Sequence, residues 1–315
     1  MSVLNKSEYK KFFLDRYHEY PQGKYVNLIL IRKTESETIF RTEGSGEPLC
    51  WEFVNAGAKK RKTDPVQRIV ITKRKQTAVE RRTGREDLRK QGLPCLTDEG
   101  NSNPESVDAY LYGHAVGQDG AQKSRVITED AFSILSTAQV MGNRTSNKLY
   151  DTGTMIDVTG KQSESLFNSD YVRPETHFLD IETLKDVTAD ELFYVLGNIL
   201  RTSRYGAIST RIGKVKNTVA QVIFSDTEIF STLELTQQVY DALCPADDSE
   251  PDFPLRDEDV LKAVVNSSNA LITPIIGQYQ VIVDEDLTLL VEEVRNIYRD
   301  PTTFLQRLAS SYSGG

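Results

Sequence analysis

Hydrophobic positions in this chain fall in short clusters, and only a few stretches carry the period of a helix. Residues 25–33 (YVNLILIRK) are apolar and rich in β-formers, and a turn-like KTESE at 33–37 separates them from 38–42 (TIFRT). That pattern predicts a hairpin. Gly44, Gly46 and Pro48 then break regular structure. Residues 68–75 (RIVITKRK) read as a strand, and 76–103 as a polar, turn-rich excursion with one short helix. Residues 107–116 and 123–128 read as returning strands. The stretch 142–173 has little periodicity and reads as an extended, projecting hairpin.

The clearest local signal follows. Residues 176–183 (THFLDIET) are a strand candidate, and Thr188 with Glu191 fits a capping box. Leu192, Val195, Leu196, Ile199 and Leu200 then recur at helical spacing, giving one apolar stripe. Residues 207–216 and 218–225 read as strands joined by a turn near Gly213. Ser231 and Glu234 repeat the capping pattern ahead of Leu235 and Val239. From Asp257 onward the pattern is mostly helical, with one strand at 278–283. Elements that interleave without a strict βαβ rhythm predict an α+β fold, with a ferredoxin-like or RNA-recognition-type core carrying long insertions. The expected divisions are a first core part at 1–50, a basic insertion at 51–106 and core strands at 107–142. A hairpin follows at 143–175, then a core helix with strands at 176–244 and an acidic, mostly helical part at 245–315.

Composition changes this picture little. The apolar residues make 38% of the 315, enough for a core, and no run approaches the roughly 18 residues of a membrane span. The first residues lack a secretory pattern. Cys50, Cys95 and Cys244 are too few and too widely spaced for a disulfide framework or a zinc clip. The expectation is a soluble, cytoplasmic chain with no membrane partner.

Charge is more informative. The net charge is −8, yet residues 51–90 hold thirteen Lys/Arg against five Asp/Glu, and residues 241–300 hold four against fourteen. Segregation of this kind suits one surface for a polyanion and another for a different task. The run Lys59, Lys60, Arg61, Lys62 is either such a surface or a solvated loop, and the acidic third is a possible dock for a basic face of a second copy.

Catalytic motifs are missing: there is no GxxxxGK[ST], GxSxG or HExxH. The histidines are His18, His114 and His177, none with a Cys or His at ligand spacing. Asp180 and Glu182 share a strand face, a pattern as ordinary in a polar strand as in an acid/base pair. No ligand spacing supports a site made of Cys50, Cys95 and His114. The expectation is a binding protein rather than an enzyme, with no cofactor and no metal.

Residues 201–217 combine Arg201, Arg204, Arg211, Lys214 and Lys216 with Gly206, Gly213 and Tyr205. Arg and Lys neutralise phosphates, glycine permits close backbone approach, and Tyr205 offers a base a stacking surface worth about 1–3 kcal/mol. Asn143, Arg144 and Lys148 make a second polar-basic cluster. Each cluster alone is equally compatible with a solvated turn.

At Arg204-Tyr-Gly-Ala through Lys216 the chain resembles the RAMP superfamily, whose members carry a glycine- and arginine-rich loop after a core helix. The runs ETHFLDIETL, TADELFYVLGNIL and TIFRTEGSGEP are similar to the type I-D CRISPR Cascade backbone subunit. The resemblance is strongest over about 38–226 and weakest in the acidic tail. It implies copies stacked head-to-tail along the CRISPR RNA spacer, holding its backbone without reading sequence and leaving bases to pair with target DNA. Other Cascade subunits are the further partners implied. By position, Arg201, Arg204, Arg211, Lys214 and Lys216 would line the RNA groove, joined by Arg41. The hairpin would be a thumb over 151–173 that kinks the guide, with Phe167 or Tyr171 as the wedge between bases. Lys59 to Lys62 would hold guide or target strand. The aromatic RNA-recognition signature K/R-G-F/Y-G/A-F-V-x-F/Y is absent, which favours backbone grip over stacking on the sheet. A ribonuclease of the same superfamily using Asp180, Glu182 or His177, and an RNA-independent self-assembling protein, are the alternatives.

Overall fold

The computed structural model describes residues 2–40, 49–58, 64–96, 103–115, 121–147, 149–151, 153–161, 166–206, 212–245, 249–282 and 284–312. In chain order these form α1 (Ser7–Lys10), β1 (Tyr25–Thr34), β2 (Cys50–Asn55), β3 (Pro65–Ile71), α2 (Lys73–Lys90), α3 (Val107–Tyr112), β4 (His114–Ala115), β5 (Ala121–Gln122), β6 (Val126–Thr128), β7 (Ala131–Ser133) and α4 (Thr137–Val140). Then come β8 (Met141–Asn147), β9 (Leu166–Val172), β10 (His177–Lys185), α5 (Ala189–Arg201), β11 (Val215–Ser225), α6 (Thr232–Leu243), α7 (Asp257–Ile272), β12 (Tyr279–Ile282), α8 (Asp284–Ile297) and α9 (Thr302–Ser310).

The apolar run of β1 does not alternate because both its faces are covered. Leu28 and Leu30 pack with Leu184 and Phe224 beneath Leu192, Val195 and Leu196 of α5, Val294 of α8 and Leu305 of α9. Ile29 and Ile31 pack with Leu179 and Ile223 on the other face, beneath Leu235 and Val239 of α6 and Val260 and Val264 of α7. Both edges of β1 are paired as well, with β10 and β11, all antiparallel. The main sheet runs β12-β11-β1-β10-β7-β3-β2, with β6 also on β10, while β8 and β9 pair with each other as a separate hairpin. This is a mixed architecture of helices and antiparallel sheet, as the α+β expectation requires.

The capping signals hold. Thr188 accepts from the Glu191 amide at 3.2 Å while Glu191 accepts from the Thr188 amide at 2.8 Å, and Ser231 accepts from Glu234 at 3.2 Å. Other expectations fail for identifiable reasons. The hairpin between 25–33 and 38–42 does not form, because β10 and β11 occupy both edges of β1; Thr38 instead exchanges backbone hydrogen bonds with Val172 of β9. The strand expected over 68–75 stops at Ile71, and the excursion after it is the 18-residue helix α2. Its buried stripe is polar (Gln76, Glu80, Gly84, Asp87), so a hydropathy period could not show it. Gly84 is needed there, since a Cβ would lie 2.3 Å from the Tyr194 hydroxyl of α5. The returning strand at 107–116 is mostly helix α3, capped by Ser106 on Ala109 and buried through Val107 and Leu111 one turn apart. The β-forming residues there give way to burial. Of the two strands expected about Gly213, the second is part of β11, which starts at Val215, and residues 207–211 of the first lie outside the described residues. The edge strand β2 has no counterpart among the sequence expectations.

Candidate nucleic-acid interface

Beneath the candidate loop at 201–217 lies a sealed ionic cluster. Arg32 of β1 points to the α2/α5 side of the sheet, as do Asp180 and Glu182 of β10, because the register sets Leu30 opposite Asp180 and Leu28 opposite Glu182. Arg32 Nη2 donates to Asp180 Oδ2 at 2.6 Å and Glu182 Oε1 at 2.7 Å. Its Nη1 donates to the Tyr205 hydroxyl at 2.6 Å and lies 2.9 Å from Glu80 Oε1 of α2. Tyr205 donates on to Glu80 at 2.7 Å and accepts from Asn217 Nδ2 at 2.7 Å. Arg32, Glu80, Asp180, Glu182 and Tyr205 are all fully buried.

One guanidinium cannot balance three carboxylates. Glu80 Oε2, Asp180 Oδ1 and Glu182 Oε2 are buried without a hydrogen-bond partner. Burial pushes the Asp180 carboxyl up to about 6 against the pull of Arg32, and burial followed by the Glu80 charge pushes Glu182 up strongly. The cluster therefore retains a proton near neutrality. Asp180 and Glu182 bind protons more tightly folded than unfolded, so their contribution is complete below the ordinary carboxylate range. It is lost as pH rises through about 6. Melting temperature should fall between pH 5 and pH 8, and Glu182→Gln should flatten that fall by supplying a permanently neutral partner. Parallel curves for the two proteins would exclude a shared proton.

This cluster corrects one expectation directly. Tyr205 offers no stacking surface, because its ring is inside the protein with Arg32 at 4.9 Å. It fixes the root of the loop rather than touching its surface. His177 points to the opposite face of the sheet, where Nε2 meets Asp257 at 2.8 Å and burial lowers its pKa, so it shares no site with Asp180 and Glu182. Among the described residues no three His, Cys, Asp or Glu side chains are grouped as metal ligands, the trio Cys50, Cys95 and His114 included.

At the end of the sheet above Tyr205, the chain brings distant cations together. The Glu35 amide donates to the Lys214 carbonyl and the Lys214 amide donates to Ser36 Oγ, both at 2.7 Å. Gly213 lies so close that a Cβ would sit 2.2 Å from the Glu37 carbonyl oxygen. The close approach that glycine permits here is to the chain's own backbone. Lys214 Nζ lies 3.4 Å from Glu35, Arg144 of β8 pairs with Glu37, and Arg204 donates to the Ile212 carbonyl. Arg144, Arg204 and Lys214 are all exposed. Glu35, Ser36 and Glu37 thus bring Lys214 and Arg144, far apart in sequence, to one short segment, while Arg204 is tied to Ile212, two residues before Lys214.

Other candidates go elsewhere. Arg201 binds Asp87 and lies 4.0 Å over the Tyr298 ring, engaged with α2 and the end of α8. Lys216 opens onto a separate groove between β11, α7 and α8. Asn143 donates across the hairpin to Asp170 at 2.7 Å. Tyr171 lies across Gly142, where a Cβ would meet its ring at 2.4 Å, with Arg144 at 5.8 Å from the ring. It sits at the root of the hairpin beside Val172, and cannot wedge between bases without leaving Gly142. Phe167 belongs to β9, and its side chain is outside the described atoms. Arg41, Lys59, Lys60, Arg61, Lys62, Lys148 and Arg211 lie outside the described residues. Sequence reasoning missed Arg32 and Glu80, whose signal was a charged residue inside an apolar strand and a polar stripe on a helix.

No curated protein sequence is significantly similar to this chain. The crystal structure of Thermofilum pendens Csc2 is similar in fold, at TM-score 0.61 and 15% identity over 98% of this chain and 97% of that one. A chain of a CRISPR RNA-guided surveillance complex in a pre-nicking state is similar at TM-score 0.53 and 8% identity, over 86% of this chain and 99% of that one. A chain of another CRISPR RNA-guided surveillance complex is similar at 0.51 and 12%, with the same coverage. Residues 12–308 match the family described as Csc2 Crispr, so the chain belongs to the Csc2 CRISPR family.

Proposed function

We propose that this protein is a non-catalytic backbone subunit of a type I-D CRISPR Cascade effector. It holds the CRISPR RNA spacer by its phosphates, copies following one another head-to-tail, and other Cascade subunits complete the assembly. The observation that carries this reading is the meeting of Arg144 and Lys214 at residues 35–37, with Arg204 tied to Ile212 just before Lys214. The stretches containing Arg41 and Arg211 adjoin that point in sequence. Family membership and the surveillance-complex relatives support it. A guide spacer varies in sequence, so its holder must contact phosphates and 2′-hydroxyls and leave base edges free to pair with target DNA. Glu35 and Glu37 now neutralise two of these cations, and phosphates would displace them. The ribonuclease alternative lacks a constellation: Asp180 and Glu182 are sealed and His177 is across the sheet.

The test is binding of nucleic-acid-free protein to single-stranded RNAs of increasing length, with the complexes sized. Copies should rise stepwise with length whatever the sequence. One copy at every length, or no binding, overturns the reading.

A further inference from the structure

Among the described residues, both edges of the main sheet lack a further strand partner over part of their length. On the outer side of β11, β12 pairs only with residues 222–225, so residues 216–220 present their edge without a strand partner among the described residues. A cavity of about 510 Å³ touches every residue from Lys216 to Ala220. Consecutive strand residues point to opposite faces, so a cavity that touches all of them runs along the edge. Its walls are mostly apolar, with Leu261 and Val265 of α7 and Leu287 and Val291 of α8, and Asp284 and Arg295 also line it. An open edge between apolar walls is the geometry of strand addition.

At the opposite end of the sheet, β2 pairs with β3 alone among the described residues. Trp51 and Phe53, two residues apart and so on one face, are 47% and 65% exposed with ring centroids 5.6 Å apart. An exposed edge strand bearing two aromatics is a pairing site that proteins ordinarily cover.

We infer that β2 of one copy adds to the open edge of β11 in the next, seating Trp51 and Phe53, which share one face, against α7. Charge selects this occupant. Glu52, between the aromatics, takes the opposite face, that of α8, whose Arg295 and Asp284 both line the cavity, Arg295 without an ion-pair partner among the described residues. The connection from β2 to β3 contains Lys59, Lys60, Arg61 and Lys62, while α7 opens with Asp257, Glu258 and Asp259 and α8 with Asp284, Glu285 and Asp286. The pairing is heterologous and leaves one β2 and one β11 unpaired at the ends, so it propagates as an open chain. It rests on the head-to-tail reading above and names the surfaces that reading needs. Lys216 then belongs to the contact between copies rather than to the RNA.

The experiment joins two single variants, Phe53→Cys and Leu261→Cys, each made with Cys50→Ser and Cys244→Ser. They are mixed with a short bismaleimide, RNA-free at high concentration and again on a long single-stranded RNA. A cross-linked dimer should form in the mixture, with neither variant cross-linking alone. A mixture that yields no more dimer than one of Val158→Cys, a 94% exposed position, with Leu261→Cys under both conditions overturns the inference. Trp51→Glu with Phe53→Glu provides a second reading. Affinity for an RNA that holds one copy should be unchanged, while affinity for a long RNA should drop at least tenfold and stepwise loading should disappear. Unchanged stepwise loading by this variant also overturns the inference, and leaves the RNA function standing. Cross-linking by a protein that binds no RNA retains the interface and removes the function.

Discussion

Replacing Arg32 with methionine is expected to cost about 3–5 kcal/mol in urea unfolding, the loss characteristic of stranding buried charge. The guanidinium is the one cation touching Glu80, Asp180 and Glu182 among the described residues, and each carboxylate is fully buried. Without it the three acids must take up further protons or open the core. The variant should therefore unfold at much lower urea than the wild type at pH 8 and recover part of the difference at pH 5. Adding Glu80→Gln, Asp180→Asn and Glu182→Gln to Arg32→Met should restore much of the stability, because no unpaired charge is then left inside. If the single variant is as stable as the quadruple one at pH 8, the ionic account of the cluster fails. The same variant should loosen the loop after Tyr205, whose hydroxyl accepts from Arg32.

Replacing Arg144, Arg204 and Lys214 together with alanine is expected to remove most RNA affinity while leaving the fold intact, since all three side chains are exposed. Every phosphate left without its cation should flatten the dependence of log K on log salt by about 0.7, so three substitutions remove about 2. At about 0.1 M salt that difference corresponds to roughly a hundredfold weaker binding. The loss should be the same for RNAs of unrelated sequence, since cations that meet phosphate position a strand without reading it. Binding isotherms at four or five salt concentrations measure it. A slope equal to that of the wild type would mean that these cations do not meet phosphate, wherever else the RNA binds.

The elements legible in the sequence are those whose determinants lie close together along the chain. The stripe from Leu192 to Ile199 and the caps at Thr188 and Ser231 specify α5 and α6 within a few residues each. The run at β10 needed no distant partner to be recognised. Helix α2 escaped because its buried face is made of Gln76, Glu80 and Asp87, which hydropathy scores as surface. The misplaced hairpin after β1 has the opposite cause. Residues 38–42 suit a strand locally, but both places beside β1 go to β10 and β11. The binding residues divide along the same line. That Arg204 and Lys214 belong to one loop is a matter of spacing, whereas Arg144 joins them through Glu37, more than a hundred residues earlier.

What the sequence alone determined is the α+β class, the capped helices, the segregation of charge and a family resemblance resting on ordered motifs. All of these are local or additive properties. Which side chains share a surface was decided only by tertiary structure, through the register of long-range strand pairs. That register turns Arg32, Asp180 and Glu182 to one side of the sheet and His177 to the other. It draws Tyr205 inward, where its hydroxyl completes the coordination of a buried guanidinium instead of facing solvent. A tyrosine beside arginines reads as an RNA contact in one dimension; in three, the desolvated Glu80 carboxylate holds its hydroxyl, and Arg204 beside it stays exposed.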